Sequence, residues 1–196
     1  MREIVFFSKN KNKIEEILDY FKNLNIKILT LRNFPNIVSP KEIGKGFRKN
    51  AHIKSLYGFK KFNIPCFSDD SGICIEALDG KPGINSKKFL VTNGGHKKSF
   101  KIIKKKVIEK NNTKAFFQTS ISLTINSRKN LYFDGVVNGN ISCATFGTSG
   151  FGYDPIFVPS GYNKTYAQMN ISEKNKISHR AIALCGLKNK LKELFN

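Results

Sequence analysis

The residues in this chain best suited to chemistry fall into four groups. The first is Ser8, Lys9, Asn10, Lys11, Asn12 and Lys13, at the start of a helix-like pattern. A helix start carries partial positive charge and free backbone N–H groups, so collecting lysines there is unfavourable unless an anion arrives. The stretch suits a phosphate, but it also reads as a Ser or Asn cap with solvated lysines. It lacks the glycines of a Walker loop.

The second group is Asp69-Asp70-Ser71-Gly72, with Glu42 further back. Adjacent carboxylates at the carboxyl end of a short strand want a cation, and oxygen ligands suit magnesium. Ser71 adds a hydroxyl for a phosphate oxygen. The alternative is an Asp-rich turn in which Gly72 supplies positive φ.

The third group is Phe151-Gly152-Tyr153-Asp154-Pro155, where an aromatic beside glycines suits a flat ring and Asp154 a ring N–H. A tight loop with buried aromatics has the same composition. The fourth is Lys174 with Ser178-His179-Arg180, basic residues opening a second helix. By itself this is an ordinary Ser cap. Together the groups provide for a polyphosphate, a metal and a base, the parts of a nucleotide site.

The elements that must position these groups follow from hydropathy. Residues 3–7 and 26–31 are short apolar runs suited to buried strands. Between them Ile14, Ile17, Leu18, Phe21 and Leu24 recur at helical spacing. Strand–helix–strand predicts a parallel pair in an α/β fold. Residues 46–59 read as a weakly amphipathic helix, and residues 97–110 as a lysine-rich helix with Phe100, Ile103 and Val107 inward. Over 116–125, Phe117, Ile121, Leu123 and Ile125 alternate with Phe116, Gln118, Ser120 and Thr124, predicting a half-buried antiparallel strand. Residues 131–142 are its predicted partner. The last helix runs from about Ser178 to Phe195, with Ala181, Leu184, Leu187, Leu191 and Leu194 inward. The predicted fold is a mixed twisted sheet with flanking helices, in two lobes of a single domain over 1–196.

Composition narrows the classes. At 196 residues and 40% hydrophobic, the chain can bury a real core. The net charge of +20 suggests a polyanion partner, but the lysines are scattered, and Lys, Asn, Ile and Phe all have A/T-rich codons. Cys66, Cys74, Cys143 and Cys185 form no CxxC pair and have no histidine at ligand spacing. They read as buried or half-buried thiols of a reducing compartment, not as a zinc site or disulfide framework. No apolar run is long enough for a membrane span, and residues 2–5 lead directly into a strand rather than a signal peptide. The expectation is a cytoplasmic protein with no membrane partner and no specific nucleic acid.

In combination the motifs are more specific. S-x-N-x-x-K at 8–13, NAHIK at 50–54, SDDSG at 68–72, GKPGI at 80–84, GTSGFGYDPIF at 147–157 and SEKNKISHR at 172–180 occur in this order. The chain resembles the inosine triphosphate pyrophosphatase family over nearly its whole length. The resemblance implies hydrolysis of non-standard purine triphosphates to monophosphate and pyrophosphate. It also implies a magnesium requirement, a central nucleotide-binding cleft and a homodimer. By position, Ser8 through Lys13 and Lys54 would hold phosphates, and Ser71 would touch the nucleotide. Glu42 and Asp70 would be the magnesium carboxylates, with Asp70 also activating water. Phe151, Gly152, Tyr153 and Asp154 match the base-binding loop, and Lys174, His179 and Arg180 the base-recognition set. The chain departs from the family at Lys49, usually Glu, at Asn85, usually Tyr, and at Lys9, often Gly. A nucleic-acid binder would share the charge, but would have no reason to line a basic cleft with Glu42, Asp69 and Asp70.

Overall fold

A computed structural model describes residues 2–34 and 36–195. The strands are β1 (Arg2–Phe6), β2 (Ile26–Thr30), β3 (Cys66–Ile75), β4 (Lys114–Asn126), β5 (Lys129–Ile141) and β6 (Phe157–Pro159). The helices are α1 (Lys11–Phe21), α2 (Phe47–Phe62), α3 (Ser86–Thr92), α4 (His96–Glu109), α5 (Ile171–Ile177) and α6 (His179–Phe195). The strands form one mixed sheet in the order β2-β1-β3-β4-β5-β6. β1 pairs in parallel with β2 (Ile4 opposite Ile28) and with β3 (Phe6 opposite Phe67), while β5 and β6 are antiparallel.

The chain divides into two compact units. The first comprises 1–70, 119–135 and 180–196, and the second 71–118 and 136–179. In the first unit β1 is apolar on both faces. Ile4 and Phe6 pack with Ile14, Ile17 and Phe21 of α1 and with Leu184, Leu187 and Leu191 of α6. Val5 and Phe7 face the other way, against Leu29, Leu31 and Cys66, with Tyr57 and Phe62 of α2 beside them. A continuous apolar run is what a strand covered on both sides requires. The second unit has its own core, where Phe100, Ile103 and Val107 of α4 meet Ile73, Ile75, Phe117, Phe157 and Tyr166.

Several expectations are corrected. Residues 66–75 form one unbroken strand, so Asp69 and Asp70 lie inside β3 and not in a turn at its end. Gly72 is not among the positive-φ glycines. It is needed for space, since a Cβ there would overlap the Gly83 carbonyl oxygen and the Ser86 hydroxyl. β4 is buried on both faces from Thr119 to Thr124, not on one. Its polar face lies under α2, where Ser55 Oγ bonds Ser122 Oγ at 2.8 Å and Thr124 Oγ1 at 2.9 Å. That polar seam also explains the weak amphipathicity of α2. Leu18, expected inward, is 40% exposed, and Cys143 and Cys185 are exposed rather than buried. Among the described residues no helix is long and apolar enough to cross a membrane.

Candidate active site

In the first unit, β1 ends at Phe6 and α1 starts at Lys11. Asn10 caps the helix by accepting the Lys13 N–H at 3.2 Å, and Ser8 Oγ accepts the Asn10 N–H at 3.2 Å. The first turn carries no acid, so its dipole is uncompensated from within the helix. Lys9, Asn10, Lys11 and Asn12 are exposed. Lys13 reaches inward to Asp69 Oδ2 at 2.8 Å. Burial lowers the Lys13 pKa, and the Asp69 charge opposes that shift.

Asp69 is the centre of a buried charge cluster. Its Oδ2 also accepts from Arg180 Nε and Nη2, each at 3.4 Å, and Arg180 Nη1 donates to Glu16. Burial alone would raise the Asp69 pKa, but Lys13, Arg180 and Lys54 hold it far below the usual carboxylate range. A buried guanidinium is tolerated only with paired carboxylates, and Arg180 has two. Arg180, expected to read the base, is 2% exposed and pairs with Asp69 and Glu16 in the first unit.

Asp70 follows on the same strand. Its Oδ1 lies 3.8 Å from Lys54 Nζ, which also contacts Glu42 Oε1 at 3.1 Å and donates to the Asp69 carbonyl at 2.7 Å. The Asp70 pKa is raised by burial, which outweighs the opposing pull of Lys54, Lys13 and Asn50. One ammonium thus lies against two carboxylates, where a divalent cation would be favoured. Among the described residues, no group of three or more His, Cys, Asp or Glu side chains is gathered for a metal. Two carboxylates nonetheless fit magnesium, which keeps waters and completes its shell with substrate phosphates. Ser71, half-buried, is the next residue along β3.

In the second unit, Asp154 Oδ2 accepts the Phe151 N–H at 2.7 Å and pairs with Lys174 Nζ at 2.7 Å. Lys174 Nζ also lies 4.7 Å from the Phe151 ring centroid and 5.6 Å from that of Tyr166. Gly150 and Gly152 have positive φ, and a Cβ on Gly150 would overlap the Asp154 carboxylate. Tyr153 is buried, and its hydroxyl donates to the Ser86 carbonyl at 2.8 Å. His179 stacks on Phe117 at 4.7 Å, with the planes 8° apart. Asp154 and Tyr153 therefore brace the loop from within, whereas sequence reading placed them against the base. Phe151 and Gly152 keep partial exposure.

Sequence reading named no role for Glu16 or Asn50. Glu16 lies off the stripe that Ile14, Ile17 and Phe21 set on α1 and is buried all the same, so helical periodicity gave no signal for it. Asn50 lies one helical turn before Lys54 in the NAHIK stretch, and the same turn of α2 faces Asp70. Lys49 is exposed on α2, and Lys87 and Lys88 are exposed on α3.

A model of the Ham1 family matches residues 4–190. The chain is 38% identical over 181 residues to a dITP/XTP pyrophosphatase from Flavobacterium psychrophilum, covering 92% of this chain and 94% of that one. Its fold is similar to that of a HAM1 protein from Coxiella burnetii, with TM-score 0.87, 32% identity and coverage of 98% and 100%. The Ham1 protein of Staphylococcus aureus superposes with TM-score 0.80 at 32% identity, covering 98% and 99%.

Proposed function

Because the chain belongs to the Ham1 family, we propose that it hydrolyses non-standard purine nucleoside triphosphates such as ITP, dITP and XTP. The products are the monophosphate and pyrophosphate. The observation that carries this reading is the pairing of Glu42 and Asp70 across Lys54 in the same unit as the Lys13 helix start. Carboxylates there have no use in a protein that merely binds polyanions.

Phosphoryl transfer needs positioning and charge neutralisation more than covalent chemistry. Magnesium, held by Glu42 and Asp70 together with phosphate oxygens, would supply charge neutralisation on the departing pyrophosphate. Lys13, Lys54 and the N–H groups opening α1 bind and orient the triphosphate. Asp70 accepts the proton of the attacking water as the bond between the α and β phosphates breaks.

In the second unit Phe151 offers a ring face for the purine, held in place by the Lys174–Asp154 pair. His179, fixed by Phe117, contributes to base recognition. Hypoxanthine and xanthine carry an oxygen at position 6 and an N–H at position 1. Adenine reverses both groups, and mispaired buried polar groups cost ~10⁴-fold in specificity. A homodimer working in the cytoplasm completes the proposal.

The test is pyrophosphate release from ITP, dITP, XTP, ATP and GTP, with and without magnesium. Magnesium-dependent release favouring the first three is expected. Salt-sensitive DNA binding with no release from any of them would overturn the reading.

A further inference from the structure

We infer that Asn50 is a positioning residue that sets the relation between the Asp70 carboxylate and the segment carrying Glu42. This rests on the function proposed above, and it concerns a side chain that neither the motifs nor the relatives' names assign.

Asn50 is 3% exposed and lies on α2 one turn before Lys54. Its Nδ2 donates to Asp70 Oδ2 at 3.1 Å, and its Oδ1 accepts the Gly44 N–H at 2.8 Å. The amide orientation is fixed by its partners, because a flip would set oxygen against carboxylate and N–H against N–H. A primary amide suits this place, since one end must donate to an anion and the other accept from a backbone. Aspartate would oppose Asp70, and an apolar residue would leave a buried N–H without its acceptor.

Gly44 supplies the second observation. A Cβ at that position would come 2.5 Å from Asn50 Oδ1 and 2.9 Å from the Lys49 Cβ. The segment carrying Glu42 is therefore drawn against Asn50 more closely than any side-chain-bearing residue permits. With Oδ2 of Asp70 held by Asn50, Oδ1 is the oxygen that faces Lys54. Asn50 thus decides which Asp70 oxygen meets a cation, and where Glu42 stands beside it. Thr119 Oγ1, donating to the Asp70 carbonyl at 3.2 Å, fixes the backbone of the same residue.

The experiment compares Asn50→Ala, Asn50→Asp and Gly44→Ala with Ser55→Ala, a control on the same helix. Ser55 is buried and its hydroxyl is bonded to Ser122 and Thr124, not to either carboxylate. Mn²⁺ binding by electron paramagnetic resonance, steady-state kinetics with ITP and thermal unfolding are measured on each. The three site variants are expected to weaken Mn²⁺ binding at least tenfold and lower kcat at least tenfold, with KM within threefold. Ser55→Ala is expected to lose comparable stability, with Mn²⁺ affinity and kcat within threefold of wild type. Asn50→Ala that binds Mn²⁺ as wild type does, or falls no further than Ser55→Ala, overturns the inference. Wild-type protein that binds Mn²⁺ but releases no pyrophosphate removes the proposed function, while the Mn²⁺ comparison still decides the role of Asn50.

Discussion

Asp69 holds the Lys13 ammonium at 2.8 Å, joining the first helix to the third strand through a buried ion pair. Removing that carboxylate takes from Lys13 its ion pair and from Arg180 one of its two carboxylates. Breaking a buried pair costs ~3–5 kcal/mol. Asp69→Asn is therefore expected to lower unfolding free energy in urea by that order at pH 7. The pH dependence has a definite sign. Asp69's folded pKa is depressed, so its contribution is present above the unfolded value of ~3.9 and is lost as pH falls below it. The gap between wild type and Asp69→Asn should narrow progressively below pH ~4.

Asp70 behaves in the opposite sense. Its pKa is raised by burial, so its ionised form opposes folding at neutral pH. Asp70→Asn is expected to abolish turnover while leaving the thermal midpoint unchanged or higher, as when a destabilised functional group is removed. Retained turnover would refute its role as base.

The same shift governs metal binding. A proton competes for Asp70 at a pH where ordinary aspartates, with pKa ~3.9, remain ionised. Mn²⁺ affinity, measured without nucleotide, is expected to fall as pH drops through that range. An affinity flat down to pH ~4 would contradict this.

Asp154 and Lys174 form the corresponding buried pair of the second unit, 4% and 5% exposed at their side chains. Asp154→Ala is expected to destabilise by ~3 kcal/mol and to raise KM, because Phe151 loses both its anchoring bond and the ordering of Lys174. Gly150→Ala should reproduce part of this through a strained φ and overlap with the same carboxylate. Chemical denaturation and ITP kinetics check both.

Phe151→Ala isolates the ring. Base–aromatic stacking is worth ~1–3 kcal/mol, so KM for ITP should rise at least ~5-fold, with unfolding little changed because Phe151 is only partly buried. Equal KM values for variant and wild type would remove the stacking role.

Much of this architecture was legible in the chain. The apolar run through Ile4 and Phe6, the inward set Phe100, Ile103 and Val107, and the stripe of the last helix all carry their own periodicity. The ordered motifs pointed to a family in which a matched relative is a dITP/XTP pyrophosphatase. What hydropathy could not convey was interior polarity. Ser120 and Thr124 read as solvent-facing, yet both are buried: Thr124, with Ser122, bonds Ser55 of α2, and Ser120 donates to the Asp134 carboxylate. Asp69 and Asp70 read as a turn because adjacent aspartates are poor strand formers, and tertiary charge pairing overrode that propensity. Arg180 read as a ligand donor, since its two carboxylate partners lie 111 and 164 residues away in sequence.

The first unit is assembled from three separated stretches, the last being 180–196. Translation runs from amino to carboxyl end, so β1 and α1 emerge long before Leu184, Leu187 and Leu191 exist to cover them. Asp69 and Glu16 likewise await Arg180. The second unit, whose stretches end at 179, has all its residues first. Non-local closure of this kind is slow. A nascent chain stalled short of residue 180 would therefore expose Ile4, Phe6 and Ile17, leaving the first unit the more open to aggregation until residues 180–196 are made.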